Sequence, residues 1–360
     1  QMTNSPYILI MAGGVGSRFW PASREHLPKQ FLDITGSGKS LIRQTVDRFL
    51  NFIPLDNIFI ITHQSYGELV HQAIPELEKH QIIEEPARNN TAASIALASM
   101  KLSKLNPDAV CIVAPADHVI ENEDEFKSVI RKAVLHAEYH ASIITLGIEP
   151  TRADTGYGYI EYDKTDIADV RAVKSFREKP DRVTAEQYLN LGSFAWNAGI
   201  FVWKLAVIIE NFRIHSPQIY DVLIKGMHLY NTPEEISFVA SEYPKTEKIS
   251  VDYAILERAE NVYTIPCDIG WSDLGTWTSL YDFSEKDNAN NVFLTNPVHL
   301  DHARHNLILS KNSKLVVIKG LEDFIVIDTD DCLMIYPKTE EQSIKALKED
   351  LKAKGLDRYL

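Results

Sequence analysis

Short apolar segments alternate with segments of helical periodicity over most of the chain. The apolar segments are "YILIMA", "NIFIIT", "AVCIVAP" and "SIITLGI", and the helical ones include "LIRQTVDRFL", "TAASIALASMKLSKL" and "EFKSVIRKAVLHAEYH". Strands separated by helices in this way pair in parallel and are covered by the helices. The pattern predicts an α/β fold, and we expect a Rossmann-like, mostly parallel mixed sheet flanked by helices.

The pattern changes near Asn288. The segment "HNLILSKNSKLVVIKGLEDFIVIDTDDCLMIYPK" contains short β-rich stretches separated by Asn, Gly and Asp. It predicts a small C-terminal β appendage, for which a short left-handed β-helix is one option. A terminal helix follows, in which Thr339 and Gln342 have capping-box spacing and Gly355 marks the end. We predict a main domain over residues 1–287 and a β-rich domain with a terminal helix over residues 288–360.

Composition argues against several classes of protein. The chain has 37 Lys and Arg against 50 Asp and Glu, a formal net charge of −13. This balance disfavours general nucleic-acid binding, so a phosphate site would be a local exception. No apolar run approaches about 18 residues and no signal pattern is present, so neither membrane insertion nor secretion is expected. Cys111, Cys267 and Cys332 lie far apart, which indicates neither disulfides nor zinc and favours the cytoplasm.

The first apolar segment runs into a glycine-rich loop, "LIMAGGVGSRFWPASREHLPKQFLDI". A dinucleotide fingerprint would require a third glycine where Phe19 stands. A P-loop, suggested by "GSGKS", would require its first glycine at Asp33, and that segment is better explained as a cap for a helix from Leu41. In the third interpretation the glycine amides surround a nucleotide while Arg18 and Lys29 neutralise its phosphates. A merely tight turn would explain the glycines but not the two cations.

"MAGGVGSRFWP" followed by "PKQF" resembles the G-G-x-G-(S/T)-R-(L/F)-x-P…P-K signature of the sugar-phosphate nucleotidyltransferases. The Phe-Trp-Pro variant is most similar to the mannose-1-phosphate guanylyltransferases. The resemblance is dense from Tyr7 to Asp282, and it implies that residues 1–287 form the catalytic domain with Arg18 and Lys29 as catalytic residues. The nucleotide-binding residues that it implies in this loop are Ala12, Gly13, Gly14, Gly16, Ser17 and Arg18.

"EEPARNNTAASIA" resembles the family's E-P-x-x-R-N-T-A segment. The resemblance implies that Pro86, Asn90 and Thr91 help to bind the nucleotide base. Arg88 lies one place early and Asn89 stands where the family often has Arg, so we assign no role to either. The alternative is that Asn90 or Thr91 only caps the following helix.

"APADHVI" and "DIGWSDLGTW" resemble the two metal-binding segments of the family. The resemblance implies that Asp117 and Asp273 are catalytic ligands of Mg²⁺, for which Mn²⁺ would be a substitute. Magnesium takes few oxygen ligands from a protein and completes its shell with water and phosphate oxygens, so two Asp residues suffice. The alternative for each Asp is a cap or a turn.

"TGYGYIEY", "FREKPD" and "FAWNAGIFVW" resemble the sugar-binding half of the family. The resemblance implies that Gly158, Glu178, Lys179 and Asn197 bind the hexose and its phosphate. Glu and Asn can hydrogen-bond hydroxyl groups in pairs, and Lys can neutralise a phosphate. The alternative for Glu178 and Lys179 is a solvated ion pair.

Together these motifs imply the transfer of GMP from GTP to α-D-mannose 1-phosphate, which gives GDP-mannose and pyrophosphate by Mg-dependent in-line attack. They also imply a homodimer with the C-terminal β segment in the subunit contact. One alternative is an enzyme for another hexose 1-phosphate or another nucleotide. The other is a non-catalytic subunit that senses nucleotide sugars, which would be expected to have lost the site residues that this chain retains.

Overall fold

The structure is a computed structural model of the chain, and it describes residues 5–295, 297–311 and 313–360. These residues divide into two compact units. The main unit comprises the described residues up to Gly13 together with Val46–Ala116 and Ile120–Trp271. The second unit comprises Gly14–Thr45, Asp117–Val119 and the described part of Ser272–Leu360. The domain boundary after residue 287 stays a prediction.

Most of the predicted elements are present. The strands are β1 Tyr7–Met11, β2 Ile58–His63, β3 Ile82–Glu85, β4 Val110–Pro115, β5 Val119–Ile120, β6 Ile143–Ile148, β7 Gly158–Tyr162, β8 Arg171–Glu178, β9 Phe194–Lys204, β10 Val262–Pro266, β11 Trp271–Ser272, β12 Val292–Phe293, β13 Val298–Asp301, β14 Leu307–Ser310, β15 Val316–Lys319, β16 Phe324–Asp328 and β17 Leu333–Pro337. The α-helices are α1 Leu41–Leu50, α2 Gly67–Ala73, α3 Asn90–Leu105, α4 Glu123–Tyr139, α5 Arg182–Leu191, α6 Leu205–His215, α7 Pro217–Leu223, α8 Glu235–Glu242, α9 Trp277–Phe283 and α10 Ile344–Ala353. The apolar segments of the sequence are β1, β2, β4 and β6, and the helical segments are α1, α3 and α4. Among the described residues, no helix combines the length and the apolar character needed to cross a membrane.

The main unit is built on a sheet with the strand order β3-β2-β1-β4-β9-β6-β10-β8-β7. Strand β1 pairs in parallel with β2 and β4, and β10 pairs in parallel with β6. Strand β9 runs antiparallel between β4 and β6, and β8 runs antiparallel to both β10 and β7. The mixed α/β fold is therefore confirmed, with parallel pairing concentrated from β3 to β4.

Helix α4 shows how the sequence forms a helix with one buried face. The side chain of Asn122 accepts the N–H of Glu125 at 3.1 Å and caps the first turn. The buried residues then recur at three- and four-residue spacing, so that they share one face. They are Phe126, Val129, Ile130, Ala133, Val134 and Ala137. Phe126 packs edge-on against Phe49 of α1, with ring centroids 5.6 Å apart, which anchors the helix in the core.

The second unit contains the predicted C-terminal strands. Strands β12, β14 and β16 pair in parallel, as do β13 and β15, whereas β17 pairs antiparallel to β16. Each parallel pair therefore joins two strands that have one other strand between them along the chain. Asn291 and Asn306 are buried at equivalent places, and both the backbone N–H and the side-chain amide of Asn306 donate to Asn291 Oδ1 at 3.1 Å. These bonds give hydrogen-bond partners to polar groups that are buried away from water.

The capping-box prediction for the terminal helix is wrong. Lys338–Ser343 forms a 3₁₀-helix, no side chain caps it, and α10 begins only at Ile344. A tertiary contact explains the difference, because the side chain of Glu341 accepts an N–H in the first turn of α9 at 3.0 Å. The end of the helix agrees with the prediction, since Gly355 has φ 72°, in the left-handed region that favours glycine.

We predict that Phe126→Ala lowers the free energy of unfolding by about 3 kcal/mol, because the ring is fully buried and a cavity would remain. Leu135→Ala is the matched control on α4, since Leu135 is 59% exposed and its truncation should change stability by less than about 0.5 kcal/mol. Urea unfolding followed by circular dichroism measures both. Equal losses would contradict the assignment of the buried face.

Candidate active site

The glycine loop begins in the main unit, directly after β1. Ala12 is buried and donates its N–H to the carbonyl of Ile61 in β2 at 2.8 Å. Gly13 follows, and a Cβ at this position would lie 3.0 Å from the carboxylate oxygen Oε1 of Glu85. Any side chain at position 13 would crowd this carboxylate. The loop therefore starts as backbone alone beside an acidic group.

The loop continues in the second unit, where Gly16 is in close contact with the lysine that follows it in the motif. Gly16 has φ 57°, and a Cβ there would overlap the side chain of Lys29. Gly14 accepts a hydrogen bond from the side chain of Gln30 at 2.8 Å, which ties the two ends of the loop together. Ser17 and Arg18 lie between them in a single 3₁₀ turn and are exposed. The fold thus requires glycine at position 16.

Lys29 contacts both Asp117 and Asp273, so three predicted site residues lie together in the second unit. Its side chain is only 5% exposed. Its Nζ donates to the backbone carbonyl of Asp273 at 2.7 Å and lies 3.3 Å from Oδ2 of Asp117. The ammonium group also lies 5.2 Å from the centroid of the Phe19 ring. A cation is therefore held beside two acidic residues at the glycine loop.

The charge of Asp117 is set by these neighbours. Burial alone would raise the pKa of this carboxyl, but the positive charge of Lys29, followed by His118, outweighs burial and holds the pKa below its usual value. The side chain remains 31% exposed. Asp117 is therefore an anion at neutral pH that solutes can reach.

Asp117 and Asp273 fit a hard divalent cation. Both belong to the second unit and adjoin the same lysine, and carboxylate oxygens are the ligands that Mg²⁺ prefers. Asp273 also stabilises a turn, because its Oδ1 accepts the N–H of Gly275 at 3.2 Å. This bond does not prevent the Asp273 carboxylate from binding a metal ion, because a carboxylate can accept several contacts at once.

The P-loop alternative does not match the structure of its segment. The carboxylate of Asp33 accepts the N–H groups of Ser37 and Gly38 at 3.0 and 2.8 Å, so it closes the loop itself. Ser40 then accepts the N–H of Arg43 at 3.3 Å, which confirms that this segment caps α1.

The predicted base-binding residues lie after β3 in the main unit. Asn90 is exposed with φ 66°, and its side chain accepts the N–H of Thr91 at 2.8 Å. The hydroxyl of Thr91 accepts the N–H of Val251 at 2.9 Å. Asn89, the residue before α3, makes no side-chain cap bond. The bond from Thr91 to Asn90 is a local contact at the start of α3, as the capping alternative expects for Asn90. Pro86 is half-buried and leads from β3 into this segment.

Arg88 and Asn89, to which the motif assigned no role, have structural contacts. The guanidinium of Arg88 donates to the hydroxyl of Tyr66 at 2.9 Å. Asn89 is fully buried, and its side-chain amide donates to the carbonyls of Tyr243 and Thr246 at 3.1 and 3.2 Å. Asn89 therefore connects this segment to the loop after α8.

Glu85 lies beside the start of the glycine loop, and motif comparison did not single it out. It is buried, and its Oε2 accepts hydrogen bonds from the hydroxyls of Ser94, at 2.6 Å, and Tyr243. Burial raises the pKa of Glu85, although these two bonds and Arg88 oppose the shift. Its Oε1 is the oxygen beside Gly13. The signal in the sequence is weak, because β3 ends in two acids, Glu84 and Glu85, and the structure buries only the second.

The predicted sugar-binding residues lie together on β7, β8 and β9. Gly158 pairs with Glu178, and a Cβ at position 158 would lie 2.7 Å from the Glu178 carboxylate and 3.3 Å from Cβ of Asn197. Lys179 Nζ lies 3.3 Å from Glu178 Oε1. The Glu178 side chain is only 8% exposed, which argues against the solvated-pair alternative. All four predicted residues are thus neighbours.

Asn197 is held in one orientation. Its Oδ1 accepts the hydroxyl of Thr145 at 2.6 Å and the N–H of Gly199 at 3.0 Å. Its Nδ2 donates to Oδ1 of Asp252 at 3.0 Å. The amide is therefore fixed before any ligand arrives, and Asp252 becomes a member of the same group.

Asp252 and Glu257 were not predicted as site residues. They flank a π-helical turn, Asp252–Leu256, and Glu257 Oε1 accepts the backbone N–H of Glu178 at 2.9 Å. In a regular α-helix, residues five apart lie on different sides, whereas the wider π turn brings them closer to one face. Because a π turn has no clear sequence pattern, the proximity of these acids could not be read from the chain.

The acids of this group share one electrostatic environment. Burial raises the pKa of Asp252 to about 7, and the neighbouring charge of Glu178 adds to the shift. Burial also raises the pKa of Glu178, while Lys179 opposes the shift and Glu257 adds to it. The group therefore retains protons at a pH where free carboxyls have lost them.

We predict that wild-type stability falls relative to Asp252→Asn as the pH rises from about 4 to about 7. In this window the folded Asp252 still binds its proton while the unfolded chain has lost it, so deprotonation favours unfolding. The free energy of unfolding in urea, measured at several pH values, gives the difference. Asp108→Asn, at an exposed position, is the control and should run parallel to wild type. Parallel curves for Asp252→Asn would contradict the prediction.

The chain is similar to known proteins along most of its length. The Nucleotidyl transferase family model matches residues 7–290. Mannose-1-phosphate guanylyltransferase 2 of Escherichia coli O157:H7 is 36% identical, over 100% of this chain and 76% of the relative. Mannose-1-phosphate guanylyltransferase RfbM of Salmonella typhimurium is 35% identical, over 98% of this chain and 73% of the relative.

A solved structure from Thermus thermophilus, described as a mannose-1-phosphate geranyltransferase, is similar over nearly the whole chain. Its TM-score is 0.87 at 26% sequence identity, and the match covers 97% of this chain and 100% of that one. The chain therefore belongs to the nucleotidyl transferase family, and the resemblance to mannose-1-phosphate guanylyltransferases that its motifs indicate is confirmed.

Proposed function

We propose that the protein is an enzyme that transfers GMP from GTP to α-D-mannose 1-phosphate, giving GDP-mannose and pyrophosphate. The observation that supports this most directly is the placement of Lys29 beside Asp117 and Asp273 at the glycine loop. A buried cation held by the Asp117 carboxylate and the Asp273 carbonyl at a glycine-rich loop suits the chemistry of a nucleoside triphosphate. The names of the relatives point to guanine and mannose.

In the proposed reaction, a phosphate oxygen of mannose 1-phosphate attacks the α-phosphorus of GTP. The bond from that phosphorus to the bridging oxygen of the β-phosphate breaks, and pyrophosphate leaves with the electron pair. The sugar phosphate is already ionised at neutral pH, so no general base is needed. Catalysis then consists of positioning and of stabilising the charge that develops.

The chain's cations neutralise that charge. Arg18 is exposed in its 3₁₀ turn, where it can reach phosphate oxygens, and Lys29 is held in place by the Asp273 carbonyl. The amides of Gly13, Gly14 and Gly16 provide donors without side chains in the way. The lysine acts as a point charge and the guanidinium as a fork of donors.

Asp117 and Asp273 would hold Mg²⁺, with Mn²⁺ as a substitute. When bound, the ion supplies positive charge to the phosphate oxygens. The depressed pKa of Asp117 supports this role, because a metal ligand must be deprotonated.

The base and the sugar occupy two groups of residues in the main unit. For the base, these are the start of the glycine loop with Pro86, Asn90 and Thr91, and we add Glu85, whose carboxyl beside Gly13 can accept N–H donors of guanine. For the sugar, Glu178 and Asn197 would bind hydroxyl groups while Lys179 binds the phosphate. The exposure of Lys179, at 56%, leaves its ammonium group accessible.

The proposed function is tested by turnover of several nucleoside triphosphates with several hexose 1-phosphates, read as release of pyrophosphate. We expect the highest kcat/KM for GTP with mannose 1-phosphate. ITP, which lacks the 2-amino group of guanine, should lose at least about tenfold if a base donor is bound. A different best pair would favour the alternative enzyme, and binding of GDP-mannose without any turnover would favour the sensing subunit.

We predict that Asp117→Asn and Asp273→Asn each lower kcat at least about 100-fold with Mg²⁺, since metal stabilisation of a phosphoryl transition state is worth several kcal/mol. Asp268→Asn is the matched control, because Asp268 is exposed and has no proposed role. Circular dichroism verifies that the variants are folded. Near-normal Mg²⁺-dependent rates in Asp273→Asn would contradict the two-carboxylate site.

We also propose a homodimer that uses the C-terminal strands. Leu333 and Ile335 on β17 are 61% and 54% exposed, and Val317 on β15 is 61% exposed. Apolar edge strands favour pairing with a second chain. Sedimentation at micromolar concentration should show a dimer, and a single monomeric species would contradict it.

Three finer expectations belong with this proposal. The parallel pairs of alternate strands in the second unit support a short left-handed β-helix. Parallel pairing from β3 to β4 supports a Rossmann-like arrangement. The three cysteines are free thiols, which supports a cytoplasmic location.

A further inference from the structure

The residues that follow the glycines pack into the second unit. Phe19 and Trp20 are buried, and the Phe19 ring lies 4.8 Å from that of Trp277 between centroids. The indole N–H of Trp277 donates to the carbonyl of Trp20 at 3.2 Å. The indole N–H of Trp20 donates to the carbonyl of Tyr359 at 2.6 Å. The two aromatic residues next to Arg18 are therefore fixed by the C-terminal part of the chain.

Arg24 makes a second connection between the segment after the glycines and the C-terminal part of the chain. It is buried, and its guanidinium donates to both carboxylate oxygens of Asp331, at 3.1 and 2.7 Å. Its Nε donates to the carbonyl of Pro21 at 2.7 Å. Asp331 lies in the turn between β16 and β17. The planar fork of an arginine thus joins the loop to this turn with fixed geometry.

Arg24 stands at the bend between the two cations of the site. Its backbone exchanges two hydrogen bonds of 3.0 Å with Leu27, which turns the chain back toward Lys29. The preceding residue, Ser23, donates its hydroxyl to the carbonyl of Gly16 at 2.7 Å. A shift of Arg24 would therefore displace both Gly16 and the segment that leads to Lys29.

We propose that Arg24 and Asp331 are positioning residues for the reaction, through which the β16–β17 turn sets the geometry of the phosphate-binding loop. The proposal rests on the proposed function of that loop. The role proposed for both residues acts through the loop and not through contact with substrate. Their ion pair fixes the bend at which Arg18 and Lys29 are brought into place, and an error of about 1 Å in such a placement is enough to lower a rate substantially.

The test compares Asp331→Asn and Arg24→Lys with a matched control. Asp331→Asn removes the charge of a half-exposed residue, and Arg24→Lys keeps the positive charge but loses the fork. Glu322→Gln breaks another arginine–carboxylate pair of the same unit, Arg304–Glu322 at 3.0 Å, whose two members both lie outside residues 14–32. We expect kcat to fall about tenfold in Asp331→Asn and Arg24→Lys, while KM for mannose 1-phosphate stays within about twofold of the wild-type value. Both constants of Glu322→Gln should match those of the wild type. Asp331→Glu should recover most of the lost rate.

Hydrogen exchange supplies a measurement that does not depend on turnover. Peptides from residues 14–32 should exchange faster in Asp331→Asn than in wild type or Glu322→Gln, so this part of the proposal can be judged even if the wild type uses another substrate. Wild-type kcat and unchanged exchange in both Asp331→Asn and Arg24→Lys, with only a lower Tm, would show a structural ion pair and overturn the proposal. An equal loss of kcat in Glu322→Gln would overturn it as well.

Discussion

The buried ammonium group of Lys29 determines how the second unit is assembled. A charge removed from water costs several kcal/mol unless it is paired, so its partners must be held close. Those partners come from Asp117 and Asp273, two segments far from the loop in sequence. This requirement gives a physical reason why the short stretch Asp117–Val119 belongs to the second unit although the residues on both sides belong to the main unit.

Carboxyl pKa values are shifted in opposite directions in the two units. In the second unit, the charge of Lys29 keeps Asp117 ionised. In the main unit, burial raises the pKa values of Glu85 and Asp252, with few cations to oppose it. Carboxyl groups are therefore held in the charged form in one unit and shifted toward the neutral form in the other.

Local pattern accounts for what could be predicted from the sequence. Strands β1, β2, β4 and β6 follow from apolar runs, and the neighbours of Lys29 follow from short motifs. Long-range contacts leave no signal in the local sequence. One example is the bond between Glu341 and α9, near the place where the predicted start of α10 is wrong. Another is the pair of Arg24 and Asp331, which lie far apart in the chain. Asp252 and Glu257 were missed because a π turn changes which residues share a face.

The bond between Trp20 and Tyr359 has a consequence for synthesis of the protein. Its partners are 339 positions apart, so the loop cannot take its final packing until Tyr359 has left the ribosome. Contacts of such high sequence separation form late and slowly. Until then, the aromatic side chains of the loop lack their final partners, and the nascent chain spends its longest interval with an incomplete site.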